Sequence, residues 1–375
     1  MPKILTRIIQ WIVGLLFIFS GLIKANDPLG LSYKMQEFFS AWHLQSLNEY
    51  TLALAYTMNI FEVLAGVAVI IGWRMRLFSW LLLLLILFFS FLTGYAAYSG
   101  KIKTCGCFGD CIPLTPITSF FKDLLLLLLI LVLFFYRNKI KSSLAPPVPL
   151  IILILIVAGT IFLQSFVLKH LPLVDCLPYK KGNNLLEQMK APPGAVSDSI
   201  VITFQYKKNG QTKEFDADHF PADFDSTYEF VNRFDKVVRQ GNATPAIVDF
   251  SLNDTSGENV TQHILSQEGN YVFLFAKDFS NNNTWNSEEL ISVLNKIKEK
   301  GLPFYIVTSD MKTAQKIFGN LPFARLLQCD GTVIKTAARV NPTFFVMNGA
   351  NIIQKLGGND LDKVLPVLDA LPAQK

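Results

Sequence analysis

The sequence predicts a membrane α-helical bundle followed by an extracytoplasmic α/β domain, and three observations carry that prediction. Of the 375 residues, 51% are hydrophobic and 17% are charged, against about 25% charged in soluble domains. Residues 1–169 hold 13 Lys and Arg against 6 Asp and Glu, whereas residues 170–375 hold 21 against 23. Long apolar stretches fill the first half, and strand and helix patterns alternate in the second. This composition excludes a single soluble globule, and no basic aromatic patch indicates nucleic-acid binding.

Five apolar stretches in the first half are close to the ~20 residues that a bilayer-spanning helix needs. The first follows Lys3 and Arg7 and has no small-residue cleavage site after it. We therefore expect a retained helix rather than a signal peptide. The fifth follows a proline-rich joint and is predicted to tether the second half. The stretches are residues 8–22, 51–72, 77–98, 117–136 and 149–168.

Basic residues in the short loops predict the orientation of this bundle. By the positive-inside rule, the side with most of these residues is cytoplasmic. The N-terminus is therefore predicted to be cytoplasmic, and everything after Lys169 extracytoplasmic. We expect a multi-pass protein of the cytoplasmic (inner) membrane, in contact with the lipid bilayer, with its C-terminal half in the periplasm. The basic loop residues on the predicted cytoplasmic side are Lys3, Arg7, Arg74, Arg76, Arg137, Lys139 and Lys141.

Three of the charged residues in or at the ends of the predicted spans are candidate binding residues. Lys24 follows the first span, Glu62 lies within the second, and Asp123 lies near the start of the fourth. A charge at mid-bilayer is costly unless it finds a partner. In one interpretation Lys24 and Asp123 extend to the membrane interface. In the other, Glu62 is a buried partner of Lys24 or of a bound ligand.

A cysteine-rich loop separates the third and fourth spans, on the predicted outer side. Cys105, Cys107 and Cys111 fall within seven residues, in KTCGCFGDCIP. A flexible glycine-containing loop can bring two of these thiols within disulfide distance, so a static disulfide and exchanging redox thiols both remain open. Thiolates also bind soft metals. Because the four histidines are scattered and supply no evident fourth ligand, we expect no metal site.

The N-terminal part resembles the DoxX and MauE group of four-helix membrane proteins over roughly residues 4–140. The motifs that carry the resemblance are FSGLIKANDPLG, FEVLAGVAVIIGWRMR and CGCFGDC. Cys105, Cys107, Phe108 and Gly109 match the CxCFG element of that group. The resemblance implies a four-helix bundle with this element near its outer face. In the MauE branch it also implies a role in methylamine utilisation, assisting disulfide formation in an exported dehydrogenase subunit.

We divide the chain into four regions. Residues 1–141 are the DoxX/MauE-like four-helix unit, 142–169 the linker and fifth span, 170–242 a connecting segment, and 243–375 an α/β domain. The connecting segment contains Cys176, which either stays solitary or pairs with a loop cysteine. It also contains two strand patterns joined at Lys208-Asn209-Gly210. Asn-Gly is a strong hairpin signal.

The last region resembles a thioredoxin-like domain over roughly residues 243–375. AIVDFSLNDTSGENV matches a leading strand and hairpin, YVFLFAKDF the central strand, and RVNPTFFVMNGANIIQKLGG the closing hairpin. The resemblance places Pro342 at the cis-proline position, where we treat it as a candidate binding residue. The loop KDFSNNNTWNSEEL, which would hold the Cys-x-x-Cys motif, contains no cysteine. Dithiol exchange by this domain alone is therefore ruled out. Cys329, at the end of a predicted strand, is expected to be buried.

Two functional hypotheses remain open at this stage. In the first, two of Cys105, Cys107 and Cys111 cycle between dithiol and disulfide, a membrane quinone accepts the electrons, and the outer domain binds an exported client protein. In the second, the loop disulfide is structural and the chain is a non-enzymatic membrane-anchored binding or scaffold protein. The clustered thiols favour a thiol-disulfide oxidoreductase, whereas the missing Cys-x-x-Cys favours the scaffold.

Overall fold

The computed structural model describes most of the chain. Cys105 and Asn209 lie outside the described residues, so neither the first loop cysteine nor the predicted hairpin turn is characterised. The described residues are 3–102, 104, 106–196, 199–208, 210–216, 219–221, 224–239, 241 and 243–373.

Among the described residues, five helices are long and apolar enough to cross a membrane, in agreement with the five predicted spans. The chain is therefore a multi-pass membrane protein in contact with lipid. We call the end of the bundle that carries the α4–α5 connection the loop end. The spanning helices are α1 (Lys3–Asn26), α3 (Thr51–Ile71), α4 (Met75–Ser99), α5 (Pro116–Tyr136) and α6 (Val148–Lys169).

A further helix, α2 (Pro28–Ala41), lies between α1 and α3 and was not predicted. The Asp27 side chain caps it by accepting a hydrogen bond from the backbone N–H of Gly30 at 3.0 Å. Pro28 occupies the first turn, where its missing N–H has no cost. A 3₁₀ turn over Gln45–Tyr50 then leads into α3.

Close packing of α1 against α3 depends on glycines. A Cβ added to Gly66 would lie 2.6 Å from the Gly14 carbonyl oxygen and 2.9 Å from the Ile18 backbone nitrogen. Backbone atoms cannot move aside as a flexible side chain can. Small residues at such crossings let two membrane helices approach.

We expect Gly66→Leu to lower the thermal unfolding temperature of the purified protein in detergent. Overpacking typically lowers the free energy of unfolding by about 1–3 kcal/mol. At Gly66 the added side chain would meet backbone atoms of α1, which cannot move aside. Gly159→Leu on α6 is the matched control, because a Cβ there meets nothing within 4 Å. Equal unfolding temperatures for the two variants would contradict this account of the α1–α3 contact.

The C-terminal region contains a five-stranded sheet in the order β6-β5-β4-β7-β8. β4 pairs in parallel with β5, and β5 with β6, whereas β7 runs antiparallel to both β4 and β8. All of β4 is buried, and apolar clusters cover both faces of the sheet. The strands are β4 (Asn270–Ala276), β5 (Phe304–Thr308), β6 (Ala324–Gln328), β7 (Thr343–Asn348) and β8 (Asn351–Gly357).

Seven short helices surround this sheet or precede it. Ser287 caps α10 by accepting a hydrogen bond from the Leu290 N–H at 3.2 Å, a usual role for a serine hydroxyl. A 3₁₀ turn over Gly358–Asp360 follows the last strand. The helices are α7 (Leu185–Gln188), α8 (Thr261–Leu265), α9 (Asn282–Trp285), α10 (Glu288–Glu299), α11 (Met311–Phe318), α12 (Gly331–Ala337) and α13 (Leu361–Asp369).

A separate three-stranded antiparallel sheet has the order β2-β1-β3. β1 (Ser199–Lys208) and β2 (Gln211–Asp216) are the two predicted hairpin strands. β3 (Glu229–Arg239) was not predicted, because charged residues interrupt its apolar positions. Aromatic rings of Phe204 and Tyr206 pack with others on this sheet, with centroids 6.4 Å apart.

The predicted leading strand at residues 246–254 is wrong. Asp249 has a positive φ of 61°, which breaks an extended chain at that point. Asn253 forms isolated bridges to Gln328 and Asn259 instead of a continuous strand. The segment lies along the β6 edge of the sheet without extending it.

Candidate functional site

A buried ion pair lies inside the membrane bundle. Lys24 of α1 is paired with Glu62 of α3, and their side chains are 2% and 0% exposed. Ser20 Oγ lies 3.0 Å from Glu62 Oε2 and 3.0 Å from the carbonyl oxygen of Cys107. Of the two interpretations of these charges, the structure shows the one in which Glu62 is a buried partner of Lys24. The cluster connects the helix core directly to the cysteine loop.

Asp123 is also buried, at 1% exposed. It pairs with Lys122 at 2.5 Å and accepts a hydrogen bond from the Thr93 hydroxyl of α4 at 3.0 Å. The Lys122 ammonium also lies 5.3 Å from the centroid of the Phe108 ring. The apolar pattern of α5 gave no sign of these partners, since Thr93 comes from another helix.

Cys107 is a free, half-buried thiol that lies above both ion pairs. Burial raises its pKa, while the positive charges of Lys122 and Lys24 and the buried Ser119 hydroxyl act to lower it. It lines a cavity of about 30 Å³ with Ser20, Lys24 and Lys122. That volume has room for about two water molecules, which could carry a proton from the thiol.

Cys111 and Cys176 form a disulfide with a Cα–Cα distance of 4.8 Å, across 65 residues of sequence. Of the two alternatives for Cys176, the structure has the one in which it pairs with a loop cysteine. The bridge joins the α4–α5 loop to the segment that follows α6. Cys111 is thus paired in this structure, whereas Cys107 is free; nothing is assigned to Cys105, which lies outside the described residues.

Polar contacts hold the segment around Cys176 from both sides. The Asn26 amide, at the end of α1, donates to the Val174 carbonyl at 2.8 Å and accepts from the Val174 N–H at 3.1 Å. From the C-terminal sheet, the buried Lys355 ammonium pairs with Asp175 at 2.7 Å. Burial lowers the pKa of Lys355, and the Asp175 charge opposes that shift.

Arg339 joins the C-terminal region to the membrane bundle. Its Nε lies 2.8 Å from Asp27, the cap of α2, and its Nη2 lies 2.7 Å from Asp110 in the cysteine loop. The Arg339 side chain is 3% exposed, and its guanidinium lies 5.4 Å from the centroid of the Tyr33 ring. Arginine suits this place because its planar fork can bind two carboxylates at once. Sequence reasoning missed it, since only the folded chain brings these residues together.

A solvent-accessible cleft of about 640 Å³ runs between the two parts at the loop end. Cys176, Asp110 and Arg339 line it together with Tyr33 of α2 and Thr336 of α12. Cys111 and Cys176 are both partly exposed. The disulfide is therefore reachable from the cleft, whereas Cys107 belongs to the cavities inside the bundle.

Pro342 follows Arg339 closely, and the Asn341–Pro342 bond is cis as predicted. Pro342 is buried, and its carbonyl oxygen accepts a hydrogen bond from the Gly358 N–H at 2.8 Å. Asn341 Oδ1 accepts from the Lys277 N–H at 2.9 Å, where β4 ends. Burial lowers the pKa of the Lys277 ammonium to about 8. Three residues before Pro342, Arg339 contacts Asp27 of the membrane bundle.

Cys329, the second free thiol among the described residues, lies in the sheet core at 3% exposed. Burial raises its pKa to about 12. A thiol in such surroundings is a poor nucleophile, as expected for a packing residue.

Comparison with known proteins agrees with the architecture of the membrane bundle. Residues 2–136 match the family model described as methylamine utilisation protein MauE, and residues 200–240 match a domain of unknown function, DUF8463. No curated protein matches the chain, and no solved structure matches it either. The matched regions coincide with helices α1–α5 and with the three-stranded sheet. The chain is thus a multi-pass membrane protein whose residues 2–136 match the MauE family model.

Proposed function

We propose that this protein catalyses thiol-disulfide exchange at the extracytoplasmic face of the inner membrane and helps exported proteins to form disulfides. The observation that carries the proposal is a free thiol, Cys107, and a disulfide-bonded cysteine, Cys111, in one short loop. Cys107 lines a cavity inside the bundle, whereas Cys176, the partner of Cys111, lines the cleft. The MauE family match supports the same reading, because the resemblance implies assistance to disulfide formation. Only the name of that family refers to methylamine, so we do not propose a methylamine-related client. We describe the client by its class, an exported protein that forms disulfides.

The proposed exchange step needs no group outside the two proteins. A client thiolate attacks one sulfur of the Cys111–Cys176 bridge and forms a mixed disulfide, releasing the other sulfur as a thiolate. A second client thiolate then attacks the client sulfur of that mixed disulfide. The client leaves with a new disulfide, and Cys111 and Cys176 are left reduced.

The orientation is part of the proposal. Basic side chains gather at the bundle end opposite the cysteine loop, where Arg7 donates to Ser143 and Arg76 Nε donates to Asn138 at 2.8 Å. By the positive-inside rule that end is cytoplasmic. The cysteine loop and the C-terminal region then face the periplasm, where disulfides persist.

We further propose that the C-terminal region is thioredoxin-like and serves to bind rather than to transfer electrons. Its mixed sheet, with β7 and β8 antiparallel after a cis-proline, supports this assignment. The face beside Pro342 contacts Asp27 and Asp110 through Arg339. A client entering the cleft would meet Arg339 of this region and Cys176 of the disulfide together.

One observation favours a second candidate function, a membrane-anchored scaffold with a structural disulfide. The Cys111–Cys176 bridge and Arg339 both fasten the C-terminal region to the bundle, as a static staple would.

The reduction potential of Cys111–Cys176 separates the two functions. We expect reversible titration between about −270 and −120 mV, the range of known exchange proteins, measured by alkylation and mass spectrometry of the full chain in membranes. Cys329→Ala is the control variant, since this thiol lies in the sheet core and its loss should leave the potential unchanged. A bridge that stays oxidised below about −300 mV would overturn exchange and favour the scaffold.

A further inference from the structure

The cysteine loop places a free thiol four positions before a bonded sulfur. Cys107 is free, whereas Cys111 is bonded to Cys176. The chain turns throughout Cys107–Cys111, and the Gly109 N–H donates to the Gly106 carbonyl at 3.0 Å. On a helix, where the backbone also turns, Cβ atoms four positions apart are about 5–6 Å from each other. A disulfide needs about 3.5–4.5 Å between its Cβ atoms, so a slight tightening of this loop brings the two sulfurs into contact.

The backbone between the two cysteines can make that adjustment. Gly109 has a φ of 56°, and glycine changes its backbone conformation at a lower cost than other residues. A Cβ added there would meet only the Ile23 side chain, at 3.4 Å, among the described atoms within 4 Å. The part of the loop between Cys107 and Cys111 is therefore not fixed by tight packing around this glycine.

The surroundings of Cys107 supply what an attacking thiol needs. A thiolate, not a thiol, attacks a disulfide. Burial raises the pKa of Cys107, whereas the charges of Lys122 and Lys24 favour its thiolate. Asp123 lines the same cavity of about 30 Å³, which has room for about two water molecules. Water in this cavity can pass the thiol proton to the Asp123 carboxylate.

Cys176 stays at the cleft when its bond to Cys111 breaks, because its neighbours are held by other contacts. Val174 exchanges two hydrogen bonds with the Asn26 amide, at 2.8 and 3.1 Å. Asp175 pairs with the buried Lys355 ammonium at 2.7 Å. None of these contacts needs the disulfide. A released Cys176 thiol therefore remains in the wall of the cleft of about 640 Å³, close enough to Cys111 to restore the bridge.

We propose that Cys107 attacks Cys111 and moves the disulfide from Cys111–Cys176 to Cys107–Cys111, which frees Cys176 as a nucleophile in the cleft. This inference rests on the proposed exchange function and adds disulfide rearrangement to it. The Cys107 thiolate forms the new S–S bond, the bond between Cys111 and Cys176 breaks, and Cys176 leaves as a thiolate. Cys107 gives up one proton and Cys176 takes one from water. The number of disulfides does not change, so no oxidant or reductant is consumed.

The freed Cys176 can then rearrange a mispaired disulfide of an exported client. Its thiolate attacks one client sulfur, forms a mixed disulfide and releases the other client sulfur as a thiolate. A different client thiolate then attacks the client sulfur of the mixed disulfide. The client leaves with a new pairing, and the Cys176 thiolate is regenerated. The client has neither gained nor lost electrons.

The test incubates the full chain, with its bridge intact, in lipid nanodiscs with glutathione disulfide and no reductant. Disulfides are mapped by mass spectrometry after an acid quench. We expect glutathione on Cys176 together with a Cys107–Cys111 bond. Cys107→Ala should slow the modification of Cys176 by about tenfold or more, because the bridge then lacks its internal attacking thiol. Cys329→Ala is the matched control, since that thiol is buried in the sheet core. Glutathione on Cys107 with the bridge intact, or equal rates in Cys107→Ala, would overturn the inference.

Cys176→Ala keeps the inference falsifiable if Cys107→Ala fails to fold. In this variant glutathione disulfide should produce a Cys107–Cys111 bond, and a failure to form it would show that the two sulfurs do not meet. Exchange of the bridge with dithiothreitol is measured in the unmodified chain. If dithiothreitol exchanges with the bridge but glutathione never reaches Cys176, the internal transfer is overturned and the exchange function stands. If the bridge does not exchange at all, the proposed function is overturned, and this inference with it.

Discussion

Lys24→Met should destabilise the membrane bundle by about 3–5 kcal/mol, because it leaves the Glu62 carboxylate buried without its partner. Glu62 is fully buried, and its other near neighbour is the Ser20 hydroxyl at 3.0 Å. A hydroxyl cannot replace an ammonium as the partner of a charge. The loss would appear as a lower thermal unfolding temperature of the full chain in nanodiscs.

The double variant Lys24→Met with Glu62→Met distinguishes charge pairing from packing. Replacing both members of a buried ion pair by apolar residues is often neutral or even stabilising, so we expect it to regain most of the lost stability. Lys101→Met is the surface control, since Lys101 is exposed beyond the end of α4. A double variant as unstable as the single one would show that the Lys24 side chain stabilises the bundle by packing alone.

The same pair links the stability of the bundle to its proposed chemistry. Lys24 lines both cavities next to Cys107, and Ser20 lies 3.0 Å from both Glu62 and the Cys107 carbonyl. A charge pair kept inside a membrane bundle is expensive and is usually functional.

Local sequence patterns were sufficient for the helices and for part of the sheets. Apolar runs longer than a soluble helix tolerates identified all five spans, and an Asn-Gly pair identified the β1–β2 hairpin. α2 was not predicted because it is short and only partly apolar. The prediction of a strand at residues 246–254 was wrong because Asp249 has a positive φ, which breaks the extended backbone that the alternating sequence pattern predicted.

The site could be predicted only where its residues lie in one local motif. The Cys107 loop was evident from its composition, and Lys24 with Glu62 was one of two readings of charges in apolar surroundings. Arg339 contacts Asp27 across 312 residues of sequence, and no local pattern specifies such a partner. Which loop cysteine forms a disulfide with Cys176 likewise depends on the contacts that hold the segment after α6 at the loop end.

Arg339→Met should release the C-terminal region from the cysteine loop. The change leaves Asp27 and Asp110 without the cation that they share, and loss of one member of a buried charge pair costs about 2–5 kcal/mol. Because Asp110 is 37% exposed, water can take over part of its solvation, so we expect the lower end of that range. Hydrogen exchange should accelerate in the cysteine loop and in α12 and leave β4 protected.

Arg325→Met is the matched control, because this arginine is exposed on β6 and forms no ion pair among the described residues. The Cys111–Cys176 bridge still tethers the two parts in Arg339→Met, so the variant reports on docking alone. Faster reduction of that bridge by dithiothreitol would mean that docking shields it, and a client would have to displace Arg339 to reach it. Unchanged exchange and reduction rates would instead show that the disulfide and the contacts of Asn26 and Lys355 hold the regions together without the arginine.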